Sequence, residues 1–239
     1  MKSICIILAR GGSKGLKNKN MRKLNNRPLI YYPIKHAINS KVIDKIIVST
    51  DSPNIAKFSK LCGAEVPFIR PKKLSMDNTT TEASLKHALI TYENLINTKF
   101  DICVFLTATD IFRETNWISN SVNILKKNKN IQSVFSGYKT HKNFWEWDKN
   151  KKTWIRLKPW MKKYSSRQIK KNKIVREDTG LACASRAYLW RKGKRIGDRV
   201  HILTNEDSFT SIDIHNLDDL KLANFALKLR KAKRKYGKG

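Results

Sequence analysis

Residues 3–20 read SICIILARGGSKGLKNKN. The opening run, residues 3–9, is apolar without interruption. That is the pattern of a strand buried on both faces, not of one that alternates against solvent. The chain then turns abruptly to glycine and cations. Gly11, Gly12 and Gly15 let backbone amides approach an anion closely. Arg10, Lys14 and Lys19 surround them with positive charge, so the loop can hold phosphate oxygens by amide N–H and charge-assisted side-chain bonds. The spacing is neither GxxxxGK[ST] nor GxGxxG. Position gives it weight, because phosphate-bearing ligands bind at the carboxyl ends of strands in open α/β sheets.

Working outward, Pro28 is expected to open a helix running through Ala37, a favoured place for proline. KIIVST (residues 45–50) reads as the second strand, Ser52-Pro53 as the start of a helix toward Leu61, and residues 65–69 as a short third strand. Ala83, Leu85, Ala88, Leu89, Tyr92 and Leu95 mark residues 81–96 as helical. DICVFL (residues 101–106) is another buried strand, followed by a helix over 115–125 and a strand over 131–135. Strands alternating with helices predict an open, mostly parallel α/β sheet with right-handed crossovers.

The alternation breaks at residues 138–178, which are rich in Trp and Lys. A hairpin is expected at residues 148–152, and the segment reads as a lobe inserted into a single domain spanning 1–239. Trp145, Trp147, Trp154 and Trp160 need an apolar surface, either the core or another subunit. Regular structure is expected again at 180–185, 201–203 and 209–214, with a last helix over 217–231.

The 239 residues carry 50 Lys and Arg against 19 Asp and Glu, a formal charge of +31. Such a field attracts anions and says nothing of fold. Lys and Asn crowd together (KNKN, KKNKN), so composition bias plus small anionic substrates is favoured over nucleic acid. No apolar run approaches the roughly 18 residues of a spanning helix, and the first residues lack a signal-peptide pattern. A cytoplasmic protein with no membrane partner is expected. Cys5, Cys62, Cys103 and Cys183 lie far apart and form no CxxC pair, which predicts buried reduced thiols.

LARGGSKG followed by Lys19-Asn20 resembles the signature of the sugar-acid cytidylyltransferases, the CMP-N-acetylneuraminate synthetases and their relatives for similar nonulosonic acids. IIVSTD (46–51), GAEVPFIRP (63–71) with LSMD (74–77), and SIDI (211–214) with LDDLKLA also resemble family motifs, in the family's order. GAEVPFIRP resembles the pseudaminate branch. The resemblance implies a Rossmann-like nucleotidyltransferase sheet with an inserted lobe used in dimerisation and sugar binding, and hence a homodimer. It implies transfer of CMP from CTP to the anomeric oxygen of an acidic nine-carbon sugar, with release of pyrophosphate. Pseudaminate, legionaminate and 3-deoxy-manno-octulosonate are alternative acceptors. A basic nucleic-acid-binding relative, inactivated by changes at positions 107 and 215, is the competing expectation from another class.

By the same resemblance, Arg10, Ser13, Lys14 and Lys19 would cradle the phosphates on the backbone of Ala9, Gly11 and Gly12. Arg10, Lys14, Lys19 and Asp213 would be the catalytic set. Asn20, Arg70, Thr81 and Thr107 would line the rest of the nucleotide site. Arg113, Arg167, Gln168, Arg176, Thr179 and Gly180 would face the sugar, with Arg167 or Arg176 able to hold a carboxylate bidentately. Asp213, read as lying on a strand between Ile212 and Ile214, is the metal candidate, for Mg²⁺ with Mn²⁺ as the alternative. The family commonly shows Asp-x-Asp, whereas position 215 is His. Imidazole suits Mn²⁺ better than Mg²⁺, and His215 could instead orient Asp213. Asp110 stands in TATDIFR, where the family often reads QPTSPLR, and is the expected second carboxylate toward the metal.

Overall fold

The computed structural model describes residues 1–162 and 174–236. Arg167 and Gln168, expected to face the sugar, lie outside the described residues. The chain opens with β1 (Ser3–Leu8), a hairpin of β2 (Lys23–Leu24) and β3 (Arg27–Pro28), and α1 (Tyr31–Asn39). Then come β4 (Lys45–Ser49), α2 (Pro53–Leu61), α3 (Thr81–Leu95), β5 (Ile102–Leu106) and α4 (Thr115–Lys127). β6 (Ser133–Thr140) leads into a second hairpin, β7 (Trp145–Asp148) and β8 (Thr153–Arg156). The chain returns through β9 (Ile174–Glu177), β10 (Cys183–Arg186), α5 (Ala187–Arg191), β11 (Val200–Asn205) and α6 (Leu217–Tyr236).

Among the described residues the main sheet has seven strands in the order β11-β6-β10-β5-β1-β4, with β9 on β6. β1 lies parallel between β4 and β5, and β11 is parallel to β6. β10 is antiparallel to both β5 and β6, so β4, β1, β5, β6 and β11 all point one way, and β9 and β10 the other. The sheet is the mostly parallel α/β sheet that the apolar runs predict. Alternate residues of β1 serve two cores. Cys5 and Ile7 pack with α1, α2, α4 and α6 on one face, and Ile4 and Ile6 with α3 and α5 on the other. Both faces are covered by helices, which is why the strand is apolar throughout.

Three expectations are corrected. Pro28 does not open α1. It pairs with Lys23 in the first hairpin, because Asn25 and Asn26, at φ 47° and 63°, make the two-residue turn that requires left-handed backbone twice. Residues 65–69 are not a continuous strand; Glu65 and Ile69 make isolated bridges to Ile47 and Thr50, and Pro67 between them has no N–H for a ladder. Residues 209–214 are not a strand either. A 3₁₀ turn, Ser208–Ser211, leads into an irregular stretch.

The expected hairpin in the Trp-rich segment forms between β7 and β8. Trp147 meets Trp154 edge-on across it at 5.5 Å, and Arg156 lies over the Trp145 ring at 4.2 Å. Trp145, Trp147 and Trp154 are all exposed. All four cysteines are buried and free, with burial pushing the Cys5 and Cys183 thiols up to about 12. Among the described residues no helix is long and apolar enough to cross a membrane.

Candidate active site

The carboxyl ends of β1, β4 and β5 lie side by side, and the loops leaving them meet over one sheet edge. Here the first glycine loop turns back on itself. Asn20 is buried and its Nδ2 donates to the Arg10 carbonyl at 2.9 Å, closing the loop. Gly11 N–H donates to the Asp51 carboxylate at 2.8 Å, and Ala9 N–H to the Ser49 carbonyl at 3.0 Å. Those two amides are therefore spent on fixing the loop to β4. Gly15 allows the closest approach: a Cβ there would stand 2.7 Å from the carbonyl oxygen of His215. The loop after β1 and the segment preceding α6, far apart in sequence, are thus in backbone contact.

A cavity of about 530 Å³ opens between this loop and the start of α3. Arg10, Ser13, Lys14, Lys19, Asn20 and Arg70 line it, together with Asp77, Thr81, Thr107 and His215. Its charged groups are four fixed cations against one carboxylate. That carboxylate, Asp77, pairs with Arg10 and with Lys14 at 2.7 Å each. Hydrogen bonds from Lys14 and Arg10 hold it below the usual aspartate range. Lys19 is drawn below its ordinary value by burial, which the charges of Asp213, Asp110 and Asp219 only partly offset. Arg70 is buried, and its Nε donates to Ser75 Oγ at 3.0 Å. Thr80, not Thr81, caps α3 by accepting from Ala83 N–H.

A second cavity, of about 410 Å³, shares Thr81, Phe105 and Thr107 with the first. Its charge is of the other sign: Asp110, Glu177, Asp178 and Asp213 against Arg176 and Arg195. Thr107 stands at the junction. Its Oγ1 donates to Asp110 Oδ2 at 2.5 Å, and the Asp110 N–H returns a bond to Thr107 Oγ1 at 3.2 Å. Burial raises the Asp110 pKa, and the nearby charge of Asp213 raises it further. Gly180 closes over this carboxylate; a Cβ there would lie 1.9 Å from Asp110 Oδ2. Asp213 Oδ2 receives His215 Nε2 at 2.8 Å. Its Oδ1 is buried with no hydrogen-bond partner among the described residues. Buried polar atoms are rarely left so, and an orphaned carboxylate oxygen in a cavity that a second carboxylate, Asp110, also lines fits a hard divalent cation. No group of three or more His, Cys, Asp or Glu that could hold a metal ion occurs among the described residues.

The expected sugar-facing residues part company. Thr179 and Gly180 line the second cavity, and so does Arg176. Arg176 is already engaged: its Nε and Nη2 bond Asp178 at 2.6 and 2.9 Å, and its guanidinium lies 5.2 Å from the Tyr138 ring centroid. Arg113 lines neither cavity. It is 3% exposed and donates to three backbone carbonyls, those of Leu181, Thr107 and Gly180, at 2.7 Å each. It ties the end of β5 to the turn before β10 from behind the site.

Sequence reasoning assigned no role to Asp77 or Arg195. Asp77 ends the LSMD motif, which is the signal in the sequence that marks it. Arg195 stands in a basic run, RKGKR, that carries no signal of its own. Its guanidinium rests over Phe105 at 5.5 Å, with Glu82 and Glu177 at 3.5 and 3.7 Å. Its Nε is buried without a hydrogen-bond acceptor among the described residues.

The sequence model of the cytidylyltransferase family matches residues 4–221. The chain belongs to that family. Among curated relatives of this cytidylyltransferase, post-translational flagellin modification protein B of Campylobacter coli is 39% identical over 127 residues, 53% of this chain and 54% of that protein. CMP-N,N'-diacetyllegionaminic acid synthase of Campylobacter jejuni is 43% identical over 106 residues, 44% and 45% of the two chains. The chain thus spans about half the length of the curated relatives it matches. Among solved structures, CMP:2-keto-3-deoxy-manno-octonic acid synthetase complexed with CTP superposes with a TM-score of 0.68, covering 96% of this chain and 100% of that one. At 12% identity this shows a shared fold.

Proposed function

We propose that this cytidylyltransferase transfers CMP from CTP to the anomeric oxygen of an acidic nine-carbon sugar of the sialic, legionaminic or pseudaminic kind. The observation that carries the reading is the junction of a cation-lined and a carboxylate-lined cavity at Thr81, Phe105 and Thr107. A triphosphate needs the first, and a metal with an incoming hydroxyl needs the second. Arg10, Lys14 and Lys19 hold the triphosphate oxygens once Asp77 releases Arg10 and Lys14. Asn20, Arg70 and Thr81 set the nucleoside in place.

The anomeric hydroxyl oxygen attacks the α-phosphorus and gives up its proton to water, the bond to the bridging oxygen breaks, and pyrophosphate leaves with the electron pair. Asp213 and Asp110 would hold a divalent metal, Mg²⁺ or Mn²⁺. When bound, it neutralises triphosphate charge and polarises the α-phosphate. His215 orients Asp213, while Thr107 and Gly180 confine Asp110. Arg176 holds the acceptor carboxylate once Asp178 yields part of its guanidinium, and Arg195, over Phe105, meets polar groups at the far end of the sugar. The exposed Trp145, Trp147 and Trp154 support a homodimer formed through the β7–β8 hairpin, since aromatic side chains are enriched where protein surfaces meet.

The test is pyrophosphate release with CTP, Mg²⁺ or Mn²⁺, and a panel of N-acetylneuraminate, legionaminate, pseudaminate and 3-deoxy-manno-octulosonate. Release that requires CTP, metal and one nine-carbon acid supports the reading. CTP-induced thermal stabilisation without release on any acid would refute the acceptor assignment. Asp110→Asn and Asp213→Asn should both weaken metal-dependent turnover, and full activity in Asp110→Asn would remove that residue from the metal set.

A further inference from the structure

We infer that the outward face of α6 is a docking surface for an anionic lipid bilayer. The helix is held to the body by one face, on which Leu220, Ala223 and Ala226 are buried. Arg230 on the same helix pairs with Glu114 and, at 2.9 Å, with Asp207. The other face is apolar where a surface helix is ordinarily polar. Leu222, Phe225 and Leu229 are 52%, 59% and 39% exposed, and their i, i+3, i+7 spacing puts them in one stripe. A row of three such side chains on a helix that is already packed has no role in the core it faces away from.

The surrounding charge identifies the occupant. After Asp219 the sequence has no Asp or Glu, while residues 220–239 carry eight Lys or Arg. Lys221, Lys228 and Lys231 are exposed, with Lys221 paired to Asp218 at 3.0 Å one turn before Leu222. A second copy of this chain is disfavoured, because it would bring a second acid-free basic segment, residues 220–239, to the same face. A partner's acidic helix could meet cations only along the rim of the stripe. A plane of negative charge meets Lys228 and the run of cations that ends the chain at once. Apolar side chains entering the acyl boundary, with lysines reaching back to headgroups, is the arrangement by which basic amphipathic helices lie on membranes. Clusters of this size suit anionic lipids. The opposite face being fixed, the helix docks without refolding and presents the stripe in a set orientation.

The test uses the full chain and sedimentation with vesicles of phosphatidylcholine alone or with about 30 mol% phosphatidylglycerol, at about 0.15 M salt. The protein should pellet with the anionic vesicles and stay in solution with the neutral ones. The triple variant Leu222→Gln, Phe225→Gln, Leu229→Gln keeps every charge and should partition at least about tenfold less. Equal partitioning of that variant would overturn the inference, since adsorption would then be the pull of the +31 chain alone. A second readout does not depend on the triple variant folding: Phe225→Trp should shift its emission to the blue on anionic vesicles, and an unmoved spectrum is the contrary result. A synthetic helix with Leu in its seam and Glu on its flanks provides the remaining comparison. Stripe-dependent capture of that peptide with no vesicle binding would assign the face to a protein helix and overturn the lipid proposal.

Discussion

Replacing Arg113 by Met distinguishes a residue that reads substrate from one that holds the site together. The guanidinium makes three bonds of 2.7 Å to main-chain carbonyls. Hydrogen bonds from a charged donor contribute about 1.5–3 kcal/mol each, so their loss removes roughly 5–9 kcal/mol. Against that, burial draws the Arg113 pKa from its ordinary value down to about 10. A neutral side chain is spared that cost, about 3 kcal/mol at roughly 1.4 kcal/mol per unit. The balance is a destabilisation of about 2–6 kcal/mol, a range that spans the scale seen when one partner of a buried polar cluster is removed. For a chain of this length that is a fall in Tm of about 4–24 °C. Calorimetric melting and steady-state kinetics with CTP and acceptor varied separately would check it. Turnover should fall together with stability, because the tie positions Thr107 and Gly180, and Arg113→Lys should recover only part of both. A variant that melts within about 2 °C of wild type while its KM for the acceptor alone rises would refute the reasoning and return Arg113 to the sugar.

Asp77→Asn frees Arg10 and Lys14 from an internal competitor, so KM for CTP should drop about two- to fivefold, the scale of exposed ion pairs; a rise would mean that Asp77 itself serves the nucleotide. Gly180→Ala drives a methyl to 1.9 Å from Asp110 Oδ2. Asp110 must then move, and turnover should fall at least about a hundredfold with CTP-induced stabilisation kept; near-normal turnover would show that the carboxylate's place is immaterial. Glu93 is buried, and although burial pushes its pKa up, bonds from Arg191 and the Phe100 amide, with the charge of Arg191, hold it below the ordinary 4.5. A carboxylate with a depressed folded pKa contributes stability above its unfolded value that is lost as pH falls through the folded one. Glu93→Gln should therefore cost about 3–5 kcal/mol near neutral pH, with the gap to wild type closing below about pH 4; a gap that does not vary with pH would contradict the sign.

The strands were legible because β1, β4 and β5 are covered on both faces and so carry unbroken apolar runs. The glycine loop was legible because its cations and glycines are contiguous. Local readings failed where a neighbour in sequence overrode propensity. Pro28 suits a helix start, but the Asn25-Asn26 turn just before it pairs Pro28 into a hairpin. Residues 65–69 suit a strand, but Pro67 interrupts the ladder. The site was legible as separate motifs and not as geometry. Arg113 sits in a motif whose resemblance pointed to the sugar, yet its three acceptors are distributed over two loops about seventy positions apart. Arg195 belongs to the second cavity only because its segment folds back over Phe105. Asp213 was expected to show its carboxylate by strand alternation; its orphaned oxygen instead follows from an irregular stretch held down by the fully buried Ile214 and paired off by His215.

The charge of +31 invites the view that electrostatic attraction selects the ligand, and the two cavities argue otherwise. A field of that size draws any polyanion toward the protein and cannot tell a triphosphate from a nucleic-acid strand. Discrimination has to come from where the sign reverses. At Thr107 four cations give way within one side chain to four carboxylates against two arginines. A continuous phosphate backbone would have to carry its charge past Asp110 and Asp213, whereas a nucleoside triphosphate ends where the carboxylates begin. In the proposed reaction the same reversal would set the acceptor hydroxyl on the side of Asp110 and Asp213. Raising salt should therefore weaken capture of polyanions by the outer surface far more than it weakens CTP, if CTP binds as proposed against Lys19 and the buried Arg70.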